Sequence, residues 1–365
     1  MQLEWSNGEL SNFRRRLLRW FRAERRDLPW RGSRDPYGVL VSEVMLQQTQ
    51  VETVRERWIA FMERLPDLRA LAEADEREVT ELWAGLGYYS RARRLRELAR
   101  ICMERHGGEL PRGAEALGAL PGMGRYTAGA VGSIAFGLPL SVVDGNVARV
   151  FSRLFLLRRN FAESAAKQEY WALADALLAR RAPGDWNEAL MELGATVCRP
   201  ASPDCAQCPV RDFCHARREG RQDKFPPPKK RKATVEIQEI CLVTVCDGRA
   251  LLRRNAPDDW CAGQWDFPRF NVAKTDASAI KLAKSLGLRG RPKELGAVKH
   301  TVTHHRIVRT IYALKVKSTP TTLAENATYT WHETDDLEQQ LHNTLARKTW
   351  RLFQERTSLE RNSAF

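Results

Sequence analysis

The chain has 365 residues, 43% of them hydrophobic, which is enough for two cores of ordinary size. Lys and Arg number 59 against 45 Asp and Glu, and the net charge of +14 points to a polyanionic partner, nucleic acid first. The N-terminus lacks the apolar core of a signal peptide. The most apolar stretch, Ala128 to Val143, is broken by Gly132, Ser133, Gly137 and Pro139, so a membrane span is excluded and a cytoplasmic location with reduced thiols is expected.

In chain order, residues 1–224 read as helical. Apolar residues recur at helical spacing in Phe13–Phe21, Val51–Phe61, Val79–Trp83, Leu95–Met103 and Trp171–Leu178. Stops follow at Leu65-Pro66, His106-Gly107-Gly108 and Ala182-Pro183-Gly184. Residues 225–233, beginning Phe225-Pro-Pro-Pro and running through the basic Lys229–Lys232, read as an extended linker. From 234 to 365 the period changes to two. A strand at Ile240–Val245 meets the turn Asp247-Gly248 and a second strand at Ala250–Leu252, which is a hairpin signal. A helix at Ala277–Leu286, strands at Leu295–Thr303 and Ile307–Val316, and a final helix at Leu337–Phe353 complete an α+β domain.

Three local patterns carry chemistry. Cys198, Cys205, Cys208 and Cys214 form C-x6-C-x2-C-x5-C, with Pro200, Pro203 and Pro209 keeping the stretch irregular. Four thiols this close can surround one metal centre. Structural zinc usually takes two tight C-x2-4-C pairs and this stretch has one, so the spacing favours a four-iron cluster over zinc, and either over disulfides. Leu120-Pro-Gly-Met-Gly124 separates two helical stretches. Its glycines, Gly122 and Gly124, bare the backbone N–H groups for a DNA phosphate, and the next helix adds its dipole. Asp144, between Val142-Val143 and Gly145-Asn146, has the position of a helix N-cap, and by itself it reads as one.

Hairpin, aspartate and cysteine loop occur in that order. Together with Leu28-Pro-Trp-Arg31, Asp35–Val51, Leu82–Ser90 and Asn187–Gly194, they resemble the endonuclease III superfamily of base-excision DNA glycosylases, and within it the adenine DNA glycosylases (MutY). The resemblance implies a multi-domain fold. A helical helix-hairpin-helix domain with an iron–sulfur loop is followed by an α+β MutT-like domain, for which Trp260–Pro268 supplies the matching segment.

It also implies one 4Fe-4S cluster on the four cysteines. The implied partner is double-stranded DNA with adenine opposite 8-oxoguanine or guanine, bound by a monomer. Glu43, among Val41, Val44, Met45 and Leu46, matches the general acid, and Asp144 the carboxylate that faces the sugar cation. Tyr126 and Asn146 match residues orienting that pair. Gln48 and Tyr88 match residues entering the duplex, and Arg31 and Glu188 further pocket positions. Bifunctional relatives carry a Schiff-base lysine where Tyr126 stands, so hydrolysis without strand cleavage is expected. The Nudix glutamates are missing from Ala277–Leu286. Val302-Thr303-His304 replaces the family's Phe-Ser-His, so Thr303 keeps a hydroxyl for lesion reading beside His304 while the aromatic wedge is gone.

Overall fold

Two units divide the chain between Lys230 and Arg231. The computed structural model describes residues 5–229, 233–256, 259–272, 278–316 and 328–362. The first unit opens with α1 (Asn7–Glu24), started by a capping box in which Ser6 and Glu9 satisfy each other's backbone N–H groups. Phe13, Leu17 and Phe21, spaced by four, form its buried stripe. Helix α2 (Pro36–Met45) follows, with Asp35 as cap and proline in its first turn. Nine of its ten residues are buried, so it is a core helix rather than an amphipathic one, and Glu43 lies within that run.

Helices α3 (Val51–Arg64), α4 (Leu68–Glu73), α5 (Glu76–Leu82), α6 (Ser90–Arg105) and α7 (Ala114–Gly118) lead to the hairpin. Gly122 sits there at φ +78°, a left-handed conformation that only glycine adopts without strain. Helix α8 (Arg125–Phe136) then begins with Gly124 as its N-cap. Helices α9 (Gly145–Phe155), α10 (Ser164–Leu177) and α11 (Pro183–Glu192) complete the bundle, and α11 runs on into a π-helical turn at Leu193–Val197. Helix α8 packs against both α2 and α11, and α11 also against α9. These four helices frame the site described below. A one-turn helix, α12 (His215–Arg218), follows the last cysteine.

The stretch expected as linker is partly fastened to the first unit. Phe225 is buried, its carbonyl accepts from Arg153 Nε at 3.0 Å, and the carbonyl of Pro227 accepts from Asn160 at 2.6 Å. Polyproline carbonyls have no internal partners, so side-chain donors can dock them. The rest of the basic run, residues 230–232, lies outside the described residues.

The second unit is built on a mixed sheet of β1 (Val235–Cys246), β2 (Arg249–Arg254), β3 (Trp265–Asp266), β4 (Arg269–Asn271), β5 (Lys293–Val302), β6 (His305–Lys315) and β7 (Tyr329–Glu333). The main order is β3-β2-β1-β6-β5, with β4 added to β1 and β7 to β2. Strands β1 and β6 run parallel, from Val235 opposite His305 to Val245 opposite Lys315; the other pairs are antiparallel. Helix α13 (Ala279–Ser285) places Leu282 and Ala283 with Leu242, Leu251 and Leu314 on one face. On the other, α14 (Leu337–Gln340) and α15 (Thr344–Asn362) bring Leu337, Trp350 and Phe353 to Cys241, Val243 and Phe267.

The expected α+β domain is present, with one correction. The single helix expected over Leu337–Phe353 is two, because Asn343 breaks it: its side chain accepts from Ala346 N at 2.7 Å and caps α15. Strands β3, β4 and β7 were not expected. The first two are only two and three residues long and have too few alternations to register. Among the described residues no helix is long and apolar enough to cross a membrane.

Candidate active site

Seven of the predicted residues, Arg31, Glu43, Gln48, Tyr126, Asp144, Asn146 and Glu188, line a single cavity of about 480 Å³ in the first unit. They come from five places in the sequence, and helices α2, α8, α9 and α11 bring them together. Glu43 is 6% exposed, and Tyr126 Oη donates to its Oε2 at 2.7 Å. Burial among the apolar residues of α2 pushes the Glu43 carboxyl up to about 7. The Tyr126 hydrogen bond works against this, and the nearby carboxylates of Asp144 and Glu188 add to it.

Asp144 is the N-cap of α9 after all. Its Oδ1 accepts from Val147 N at 2.7 Å and its Oδ2 from Asn146 Nδ2 at 2.9 Å. Burial raises its pKa as well, while the N–H donors of Val147 and Asn146 and the charge of Arg149 pull it back. The cap geometry therefore does not compete with a chemical role. It supplies the donors that hold the carboxylate oriented, and Glu43 has no comparable set.

Several residues that the sequence reading did not single out build this arrangement. Glu192, one helical turn beyond Glu188 on α11, accepts from Arg26 N and Nε, and through its second oxygen from Arg26 Nη2 and Arg31 Nη2, at 2.7–3.0 Å. Its burial opposes ionisation, but the two guanidinium groups prevail and hold its carboxyl down at about 2. Arg31 spans Glu188 (3.0 Å) and Glu192 (2.8 Å), fastening the Leu28–Arg31 loop to α11. The four-residue step between the two glutamates was a legible sign that they share a face. Gly194 touches Asn146 so closely that an added Cβ would lie 2.6 Å from the Asn146 Cβ. Arg149 donates to Asn146 Oδ1, to the carbonyl of Gly194 and to that of Cys198. Arg91 gathers two loops: its guanidinium donates to the carbonyls of Val44, Met45 and Gln47 and to those of Leu86 and Gly87. The loops so joined carry Gln48 (φ +61°) and Tyr88 (φ +47°), both in left-handed backbone.

Not every predicted residue joins the cavity. Tyr88 is 54% exposed and is not among the lining residues. Gly122 belongs to a small depression formed with Arg91, Arg94 and Met123, and Gly124 to the turn beside it. Thr303 and His304 belong to the second unit, at the turn between β5 and β6.

Comparison with known proteins agrees with this geometry. Residues 41–175 match the family model of the HhH-GPD superfamily base excision DNA repair proteins. Adenine DNA glycosylase from Homo sapiens is 46% identical over 271 residues, which cover 72% of this chain and 50% of the human protein. Its counterpart from Rattus norvegicus is 36% identical over 95% of this chain and 79% of its own length. The chain belongs to the adenine DNA glycosylase family. A thermostable thymine-DNA glycosylase superposes with a TM-score of 0.53 at 31% identity, covering 58% of this chain and 98% of that one. A trapped endonuclease III–DNA complex, at 24% identity and a TM-score of 0.51, shares the fold. The long alignment with the rat adenine DNA glycosylase includes the second unit, so the family relationship is not confined to the helical part.

The four cysteines of this adenine DNA glycosylase relative line one small cavity beneath α9, together with Arg153 and Arg217. Among the described residues no three His, Cys, Asp or Glu side chains close on a single metal ion. Arg153, 2% exposed, organises the loop: its guanidinium donates to the carbonyls of Cys198, Arg199, Pro200, Gln222 and Phe225 and lies 3.3 Å from the Cys198 sulfur. Cys198, Cys205, Cys208 and Cys214 share this cavity with the buried Arg153 guanidinium and are the side chains there that could hold a thiolate-bound metal centre.

Proposed function

We propose that this protein is a monofunctional glycosylase that removes adenine opposite 8-oxoguanine or guanine from double-stranded DNA, and that its four cysteines hold one 4Fe-4S cluster. The observation that carries this reading is the pairing, in one cavity, of a carboxyl raised to about 7 with a second carboxylate held by backbone and side-chain N–H groups. The target bond lies inside a duplex, so the adenosine must leave the stack to enter the cavity. Protonated Glu43 gives its proton to an adenine ring nitrogen. The C1′–N9 bond then breaks with its electron pair leaving on adenine, and the charge of Asp144 stabilises the sugar cation. Water adds to C1′ and returns a proton to the Glu43 carboxylate, leaving an abasic sugar and free adenine. Tyr126 holds the Glu43 carboxyl by its 2.7 Å bond, and it offers no amine for a lyase step.

Thr303, at the β5–β6 turn, contributes lesion reading through its hydroxyl. The cluster's part is structural: Cys198, Cys205, Cys208 and Cys214 would ligate it and so hold the loop that Arg149 and Arg153 tie to α9.

Duplexes with adenine opposite 8-oxoguanine, opposite guanine or opposite thymine, incubated with the protein and then treated with hot alkali, test the reading. Cleavage at adenine in the first two, and only after alkali, is expected. Strand nicking without alkali, or release of an oxidised pyrimidine instead, refutes it. Anaerobically purified protein should contain about four irons per chain; stoichiometric zinc without iron refutes the cluster.

A further inference from the structure

Trp260 is 40% exposed, and no other tryptophan appears among the strongly exposed large apolar residues that the structure describes. Trp83, Trp186, Trp331 and Trp350, by contrast, are 0–8% exposed. The exposed indole offers an apolar face and a polar N–H to whatever approaches it. The ring lies against His305 with centroids 5.1 Å apart, and His305 in turn lies 4.0 Å from His304. The three rings form a short aromatic row that ends at the β5–β6 turn. There Thr303 sits at φ +54°, with its hydroxyl 3.4 and 3.5 Å from the Nδ1 atoms of the two histidines.

The segment bearing Trp260 is held from beneath. Asn255, 5% exposed, donates to the carbonyls of Trp260 and Cys261 and accepts from Arg269 at 2.8 Å. Arg269 pairs with Asp266, which takes two hydrogen bonds from the fully buried Arg309. Arg253 and the backbone of Ala256 secure Asp259, the residue before Trp260. The charged network thus leads from the floor of the sheet to this loop. A platform fixed in advance loses little freedom when a ligand arrives.

We propose that Trp260, backed by His305, is the surface on which the second unit stacks the base opposite the adenine, while the adjacent Thr303 hydroxyl reads that base's edge. The occupant is a nucleobase because a flat, rigid, partly polar aromatic row beside a hydroxyl matches a base face and edge, and the chain's charge of +14 favours a polyanion carrying such bases. The inference rests on the reading that the second unit senses the lesion. It goes further by assigning base stacking to Trp260 and its His305 backing.

The full-length protein and its Trp260→Ala, Trp260→Leu and Trp260→Phe variants would be titrated with three duplexes: A·8-oxoguanine, A·guanine and a fully paired control. Base–aromatic stacking is sequence-tolerant. Alanine and leucine should therefore weaken both mispaired complexes by a similar factor, roughly ten- to a hundredfold. Phenylalanine should bind like the wild type, and the paired duplex should be unaffected. Leucine keeps an apolar side chain, smaller than the indole but larger than a methyl group and without a π face, so it decides the matter if alanine disturbs the fold. Equal affinity of the leucine variant and the wild type overturns the proposal, as does a loss that extends equally to the paired duplex. Failure of the underlying reading looks different: the wild type itself, and a Thr303→Ala variant with it, would bind A·8-oxoguanine no better than A·guanine.

Discussion

Removing one hydroxyl should move the pH dependence of the reaction in a definite direction. Tyr126 Oη donates to Glu43 at 2.7 Å, and this bond opposes the burial that raises the Glu43 carboxyl to about 7. Moving a carboxyl from 4.5 to about 7 favours its acid form by about 3 kcal/mol. A hydrogen bond to a charged group is worth about 1.5–3 kcal/mol. Tyr126→Phe withdraws a donor that stabilises the carboxylate, so Glu43 should hold its proton to a pH higher by about one to two units. Glu43 acts as an acid, so activity is present below its pKa and lost as pH rises through it. In the wild type the alkaline limb should fall near 7, and in Tyr126→Phe it should lie about one to two pH units higher. The acid plateau should change little. The measurement is the single-turnover rate of adenine release from A·8-oxoguanine duplex across both limbs. An alkaline limb that stays put or moves down in the variant would refute the assignment of Glu43 as the proton donor.

Glu43→Gln and Asp144→Asn should each slow adenine release by about a hundred- to a thousandfold with duplex binding retained, as for other preorganised polar groups at a reacting centre; a rate within tenfold of wild type in either variant removes that residue from its role. Gly194→Ala places a Cβ 2.6 Å from that of Asn146 and 3.0 Å from its backbone carbon. It should lower stability by about 1–3 kcal/mol and slow chemistry by displacing Asp144, read from urea unfolding and single-turnover rates; unchanged values would mean the π-helical turn shifts freely. Glu192→Gln leaves Arg26 and Arg31 without their shared carboxylate. It should cost about 3 kcal/mol or more in the same unfolding assay, and a loss below 1 kcal/mol would show that Glu188 or solvent takes over.

Much of this protein is legible along the chain. The four-residue spacing of Phe13, Leu17 and Phe21 and the Asp247-Gly248 turn reappear in the matching helix and hairpin, because amphipathic periods and turn residues act over a few neighbours, whereas Cys241–Thr244 are buried in succession rather than alternately because helices cover both faces of the sheet. The cysteine spacing and the order of hairpin and Asp144 carried the family. What depends on distant partners had to wait for the fold. Glu192 reads as an ordinary helix glutamate until Arg26, 166 positions away, closes on it. Arg153 and Arg91 look like surface charges in a basic chain, yet Arg91 donates to the carbonyls of Val44 and Gln47, 47 and 44 positions away, and Arg153 to that of Arg199, 46 positions away. The break at Asn343 was hidden because a single cap outweighs the apolar periodicity around it. The family resemblance of the sequence names the carboxylates Glu43 and Asp144, but their protonation depends on burial and on the donors around each, which exist only once α2, α8, α9 and α11 have packed.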